Sequence, residues 1–159
     1  RIFDIVKQAK WTGGTIDIYI ISSNYTVPTN TLVTNVQNIV NPSTSSGEGT
    51  GLSPIGHIVT IKPVIALTLD IALDIDFNDD NDFSYHKSDI ESVIDAYFNE
   101  LNETWQDLDN IIVRNAVLQS RLLALDYVAD ITSLEINSSS SNITLNSNQI
   151  CERGTVYEQ

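Results

Sequence analysis

Ile65-Ala66-Leu67-Thr68-Leu69-Asp70-Ile71-Ala72-Leu73-Asp74-Ile75-Asp76-Phe77 alternates without a break between large apolar residues and small or acidic ones. Ile65, Leu67, Leu69, Ile71, Leu73, Ile75 and Phe77 fall on one side. Ala66, Thr68, Asp70, Ala72, Asp74 and Asp76 fall on the other. A period of two is that of an extended strand with one face covered and one wet. A helix would scatter the same residues round its circumference. At about 3.3 Å per residue the strand is roughly 40 Å long, and it needs partner strands and a helix to cover its apolar face.

Working back from this strand, Pro63 interrupts a shorter one over His57–Ile61. Further upstream, Thr15-Ile16-Asp17-Ile18-Tyr19-Ile20-Ile21 alternates in the same way, with Ile16, Ile18 and Ile20 on one face. Thr12-Gly13-Gly14 before it is a turn signal, and Arg1–Trp11 reads as a further strand. Leu32, Val33, Val36, Ile39 and Val40 make a helical stripe. Thr29 or Asn30 fits its N-cap, and Asn41-Pro42 ends it. Residues 43–56 are rich in Ser, Thr and Gly and read as an exposed loop.

Downstream, Asn78–Asp82 is an acidic turn. Ser88 and Glu91 have capping-box spacing ahead of a stripe of Ile90, Val93, Ile94, Tyr97, Phe98 and Leu101, extended by Trp105. A short strand is expected at Ile111–Val113, then a helix capped by Asn115 and carrying Val117, Leu118, Leu122 and Leu125. Ile131–Ile136, Asn142–Leu145 and Ile150–Val156 read as closing strands. The order is ββαβ followed by βαβαβββ. It predicts an α+β fold of two small modules, 1–63 and 64–159, with mostly antiparallel sheets and helices packed on one face.

Charge divides the chain at the same place. Residues 1–69 carry four basic and three acidic groups, a net of +1. Residues 70–159 carry four basic and eighteen acidic groups, a net of −14. An acidic surface repels phosphate backbones, which argues against a nucleic-acid partner. No apolar run reaches the ~18 residues of a membrane span, so no membrane is expected. The chain lacks methionine, which predicts a fragment of a longer translation product. The single cysteine, Cys151, makes no internal disulfide, and with two histidines it supplies no zinc cage.

The candidate chemistry is sparse. Asp74-Ile75-Asp76-Phe77-Asn78-Asp79-Asp80-Asn81-Asp82 begins like a calcium loop. Its sixth position is Asp79 where glycine is needed, and its twelfth is Tyr85 where a bidentate Glu is needed. A solvated acidic turn is the better reading. His57 and His86 are far apart in sequence, and no Ser or Cys sits in a nucleophile elbow. Gly47, Gly49 and Gly51 do not open a helix, so they are not a dinucleotide loop. No catalytic, cofactor-binding or metal-binding residue is assigned, no cofactor is called for, and an enzyme is not expected.

The strand Gly13-Gly14-Thr15-Ile16-Asp17-Ile18-Tyr19-Ile20, the helix at 30–40 and Gly51-Leu52-Ser53-Pro54-Ile55-Gly56-His57-Ile58-Val59-Thr60 together resemble the phage baseplate J-like family. The second half fits through its long strand, the Tyr97-Phe98 pair, a Leu- and Ala-bearing helix and Asn142-Ile143-Thr144-Leu145. Two departures stand out. Tyr127 occupies the place of a glycine in Tyr127-Val128-Ala129-Asp130, and Gly13 and Gly14 are adjacent.

The resemblance implies the C-terminal part of a baseplate wedge subunit of a contractile phage tail, tailocin or related injection system. Such a subunit acts through contacts with other wedge and hub proteins. It implies a further domain before Arg1, and assembly in the bacterial cytoplasm before the mature virion or tailocin baseplate. The isolated fragment is then expected to be a monomer or weak oligomer. The competing reading is a carbohydrate- or surface-binding module of a tail or adhesin, for which Trp11 and Trp105 are the only tryptophans available.

Overall fold

The structure is a computed structural model that describes residues 2–5, 14–78 and 81–159. In chain order the described elements are β1 (Ile2–Ile5), β2 (Thr15–Ile20), α1 (Asn30–Val40), β3 (Ile58–Pro63), β4 (Ile65–Phe77), α2 (Phe83–Glu103), β5 (Ile112–Val113), α3 (Asn115–Leu122), β6 (Val128–Ile136), β7 (Ile143–Thr144) and β8 (Gln149–Glu158). The class is α+β, and the element order is the one read from the pattern. The chain divides into two compact units, Arg1–Ile65 and Ala66–Gln159. Trp11 and Gly13 lie outside the described residues, so the turn expected at Thr12–Gly14 is described only from Gly14.

The first unit is a sheet of order β1-β2-β3 covered by α1. Strand β1 runs antiparallel to β2. Strands β2 and β3 are parallel, with Ile16 opposite Val59, Ile18 opposite Ile61 and Ile20 opposite Pro63. This pair departs from the antiparallel pairing that prevails elsewhere. The physical reason is the connection: parallel neighbours need a crossover long enough to return to the same end, and α1 with its following loop provides it. Ile20, Val40, Val59 and Ile61 form the core, with Ile16, Ile18, Val33 and Val36 packed against it. Two members of the expected helical stripe, Leu32 and Ile39, are exposed instead. Thr29 is the N-cap, its hydroxyl accepting from the Leu32 amide at 3.3 Å.

In the second unit β4 lies between β6 and β8. Its register with β6 is antiparallel, Ile71 opposite Ile136 and Leu73 opposite Leu134, with irregularities at Asp74/Ile75 and Asp76/Phe77. Ile71, Ala72 and Leu73 are all buried, so the strand is covered on both faces at its middle. Helix α2 packs on β8, α3 packs on β6, and the two helices touch. A small antiparallel pair, β5 with β7, completes the unit.

Two helix starts differ from the sequence reading. Helix α2 begins at Phe83, capped by Asp82, whose carboxylate accepts from the Tyr85 amide at 2.8 Å. Ser88 is therefore interior, and its carbonyl accepts a bond from the Ser92 hydroxyl. Aspartate caps a helix as well as serine does, and Phe83 and His86 carry the buried stripe upstream of Ile90. Asn115 is the first residue of α3 rather than its cap. Its amide proton goes to the Asn142 side chain at 3.1 Å, so a residue from far along the chain does the capping.

Tyr127 needs no left-handed backbone: among the described non-glycine residues only Tyr25, Asn137 and Ser138 have positive φ. Its ring stacks on His86 at 3.5 Å and faces Phe77 at 6.4 Å, so the turn is held by aromatic packing where the family pattern has glycine.

Strand edges in both units are met by carboxamides. On β3, Gln37 accepts from the Ile61 amide at 2.8 Å and donates to the Val59 carbonyl at 3.0 Å; Asn41 donates to the same carbonyl at 3.0 Å. Pro63, at the end of that strand, has no N–H to offer. On β8, Asn102 accepts from the Cys151 amide at 2.8 Å and donates to its carbonyl at 2.9 Å. On β6, Asn115 and Gln119 donate to the carbonyls of Leu134 and Ile131 at 2.7 and 3.0 Å. Gln37→Leu keeps the side chain's bulk and strips the β3 edge of its partner. We expect a loss of about 1–3 kcal/mol in urea unfolding, from the orphaned Ile61 N–H, the Val59 carbonyl keeping its Asn41 donor, together with self-association in sedimentation. An unfolding midpoint equal to that of the native chain would remove Gln37 from this role.

Candidate interaction surface

From Ile18 to Ile61 the sequence holds one formally charged side chain, Glu48. Helix α1 has none. Soluble surfaces usually carry roughly a quarter to a third charged residues, so this run is a large departure. It is also exposed and apolar in places. Ile39 is 61% exposed, Leu52 74%, Ile55 79% and Ile58 49%.

The loop after α1 folds back on the end of that helix. The Leu52 amide donates to the Ile39 carbonyl and the Ser53 amide to the Val40 carbonyl, at 3.1 and 2.8 Å. The Gly56 amide donates to the Gly47 carbonyl at 2.8 Å. The Ile55 side chain lies over Gly49, and that of Ile58 lies beside Gly47. Gly51 is needed for this closure, because a Cβ there would sit 2.5 Å from the Val40 carbonyl oxygen.

The loop at 43–56 is exposed, as its composition predicts, yet it is pinned. Asn41, only 2% exposed, is the pin. Besides its bond to β3, it donates to the Ser46 hydroxyl at 2.7 Å. It accepts from the Gly47 amide at 3.1 Å and from the Ser53 hydroxyl at 3.4 Å. One buried amide thus fixes the helix end, the loop and the strand edge together. The sequence reading saw Asn41 only as a helix stop; an Asn-Pro pair carries no sign of the tertiary bonds.

The second unit differs in electrostatics. Arg121 forms a two-pronged pair with Glu100 at 2.8 and 2.6 Å and lies 4.8 Å from the Tyr97 ring. Arg153 binds Asp95 at 2.7 Å and Glu91 at 3.3 Å. The paired carboxylates hold both guanidinium pKa values above their ordinary range. Burial pushes the Tyr97 phenol up, and its oxygen accepts from the Arg114 amide at 2.9 Å.

The described acidic residues of this stretch do not gather into a site. Asp74 and Asp76 lie on β4, Asn78 donates to the Asp126 carbonyl at 3.0 Å, and Asp82 caps α2; Asp79 and Asp80 are outside the described residues. Tyr85, the failed twelfth calcium position, is an exposed residue of the first turn of α2. Among the described residues no three His, Cys, Asp or Glu side chains converge as a metal site would require.

His57 belongs to the first unit and His86 to the second. The His86 Nε2 meets the Asn81 side-chain oxygen at 2.9 Å, while Nδ1 stands 3.7 Å from Asp89, beyond hydrogen-bond reach. Trp105 is buried, with its indole N–H on the Ser147 carbonyl at 2.9 Å. No helix among the described residues is long and apolar enough to cross a membrane.

With this geometry in hand, comparison with known proteins is informative. Residues 4–63 match the model of the baseplate J-like central domain, and residues 67–157 match that of the baseplate J-like protein C-terminal domain. The phage-like element PBSX protein XkdT of Bacillus subtilis (strain 168) is 24% identical over 158 residues, covering 96% of this chain and 43% of that protein. The uncharacterized protein YqbT of the same organism is 23% identical over 147 residues, covering 92% of this chain and 40% of that protein. The chain thus spans less than half the length of either relative.

Two outcomes are expected. Asn41→Ala should destabilise the first unit by about 3 kcal/mol, since several buried partners are orphaned at once, and should open residues 43–56 to thermolysin. An unchanged digestion pattern would show that the loop is held by other means. Burial pushes the Cys151 thiol from 9.0 up to about 12. Its contribution to stability is therefore complete below pH 9 and is lost as pH rises from there through about 12. At pH 8 alkylation of the native chain should be roughly a thousandfold slower than that of the unfolded chain, because the thiolate is the reactive form. Rapid native labelling would contradict the burial.

Proposed function

Because the chain belongs to the baseplate J-like family, we propose that it is part of a baseplate wedge in a contractile phage tail, tailocin or related injection particle. It works there through protein–protein contacts, with neighbouring wedge and hub proteins as its partners. One observation carries the reading. Two consecutive domain models of a single baseplate family run through 4–63 and 67–157, and the division between compact units falls between Ile65 and Ala66. A relative described as part of a phage-like element supports the same setting.

On this reading the chain assembles in the bacterial cytoplasm and ends in the baseplate of the particle. The modules 1–63 and 64–159 are its working parts, the first poor in charge and the second acidic. No reaction is assigned to it. Of the two tryptophans the carbohydrate-binding alternative would use, Trp105 is buried with its N–H already bonded, and Trp11 lies outside the described residues.

The test is association with the purified wedge and hub proteins of the same particle at low and high salt. The acidic excess of residues 70–159 should steer a basic neighbour, so association should slow as salt rises while the complex persists. The isolated chain should sediment as a monomer or weak oligomer. Failure to bind any of these proteins, or hydrolysis of glycan or peptide substrates that is lost on mutating one of Asp74, Asp76 or Asp82, would overturn the structural role.

A further inference from the structure

We draw no further inference here: the strongest candidate, the buried His86–Tyr127 stack where the acidic turn enters α2, with the His86 Nδ1 3.7 Å from Asp89 and without a hydrogen-bond partner among the described residues, carries nothing because it turns on the protonation of one imidazole, and Asp79 and Asp80 of the same turn, whose charges bear on it, lie outside the described residues.

Discussion

Carboxamide side chains projecting from the helices onto the backbone of neighbouring strands are the constraint on which both units depend. An amide carries a donor and an acceptor in the same plane, as a peptide group does, and carries no charge to desolvate. It can therefore take the place of a missing strand neighbour. Gln37 and Asn41 do this for β3, Asn102 for β8, and Asn115 and Gln119 for β6. Each helix is thereby tied to a particular residue of a particular strand. Apolar packing alone is non-directional and would allow a helix to slide along the sheet. The same bonds close edges that would otherwise pair with other chains. That matters for a protein whose proposed work is selective contact with neighbours.

The amides also explain how a charge-poor unit keeps a defined shape. In the first unit the described ion pair is Lys62 with Asp17, at 2.6 Å, and the Asp17 hydrogen bond raises the lysine pKa. Order elsewhere in that unit comes from neutral hydrogen bonds around Asn41. The second unit is built differently. Arg121 and Arg153 are spent on carboxylates of α2, pairs that are partly exposed and individually worth little. Most of the remaining described carboxylates are exposed, where they favour solubility and long-range steering.

Much of the fold was legible because it rests on local periodicity. The alternation from Ile65 to Phe77 gave the long central strand. Ile16, Ile18 and Ile20 gave β2, and Asn30–Val40 gave α1 to the residue. The errors lie where a local signal had a rival. Ser88 with Glu91 satisfied the capping-box pattern, but Asp82 supplied an equally good cap earlier, beside the end of β4. Asn115 looked like a cap and instead sends its side chain across to β6. Leu32 and Ile39 fitted the apolar stripe of α1, yet stand outside the arc that meets the sheet.

The sequence by itself determined the α+β class, the order of elements, the partition of charge at the middle of the chain and the family resemblance. The first three follow from composition and from repeats of two or of three to four residues; the resemblance rests on the motifs at Gly13–Ile20 and Gly51–Thr60. Only the tertiary structure decided that β2 and β3 run parallel and that the loop at 43–56 is pinned. Those features depend on bonds such as Asn41 to Val59 and Gln37 to Ile61, between residues 18 and 24 positions apart. A side-chain amide reads the same in sequence whether it faces water or replaces a strand. Its partner is chosen only when the helix docks, and that choice leaves no periodic trace.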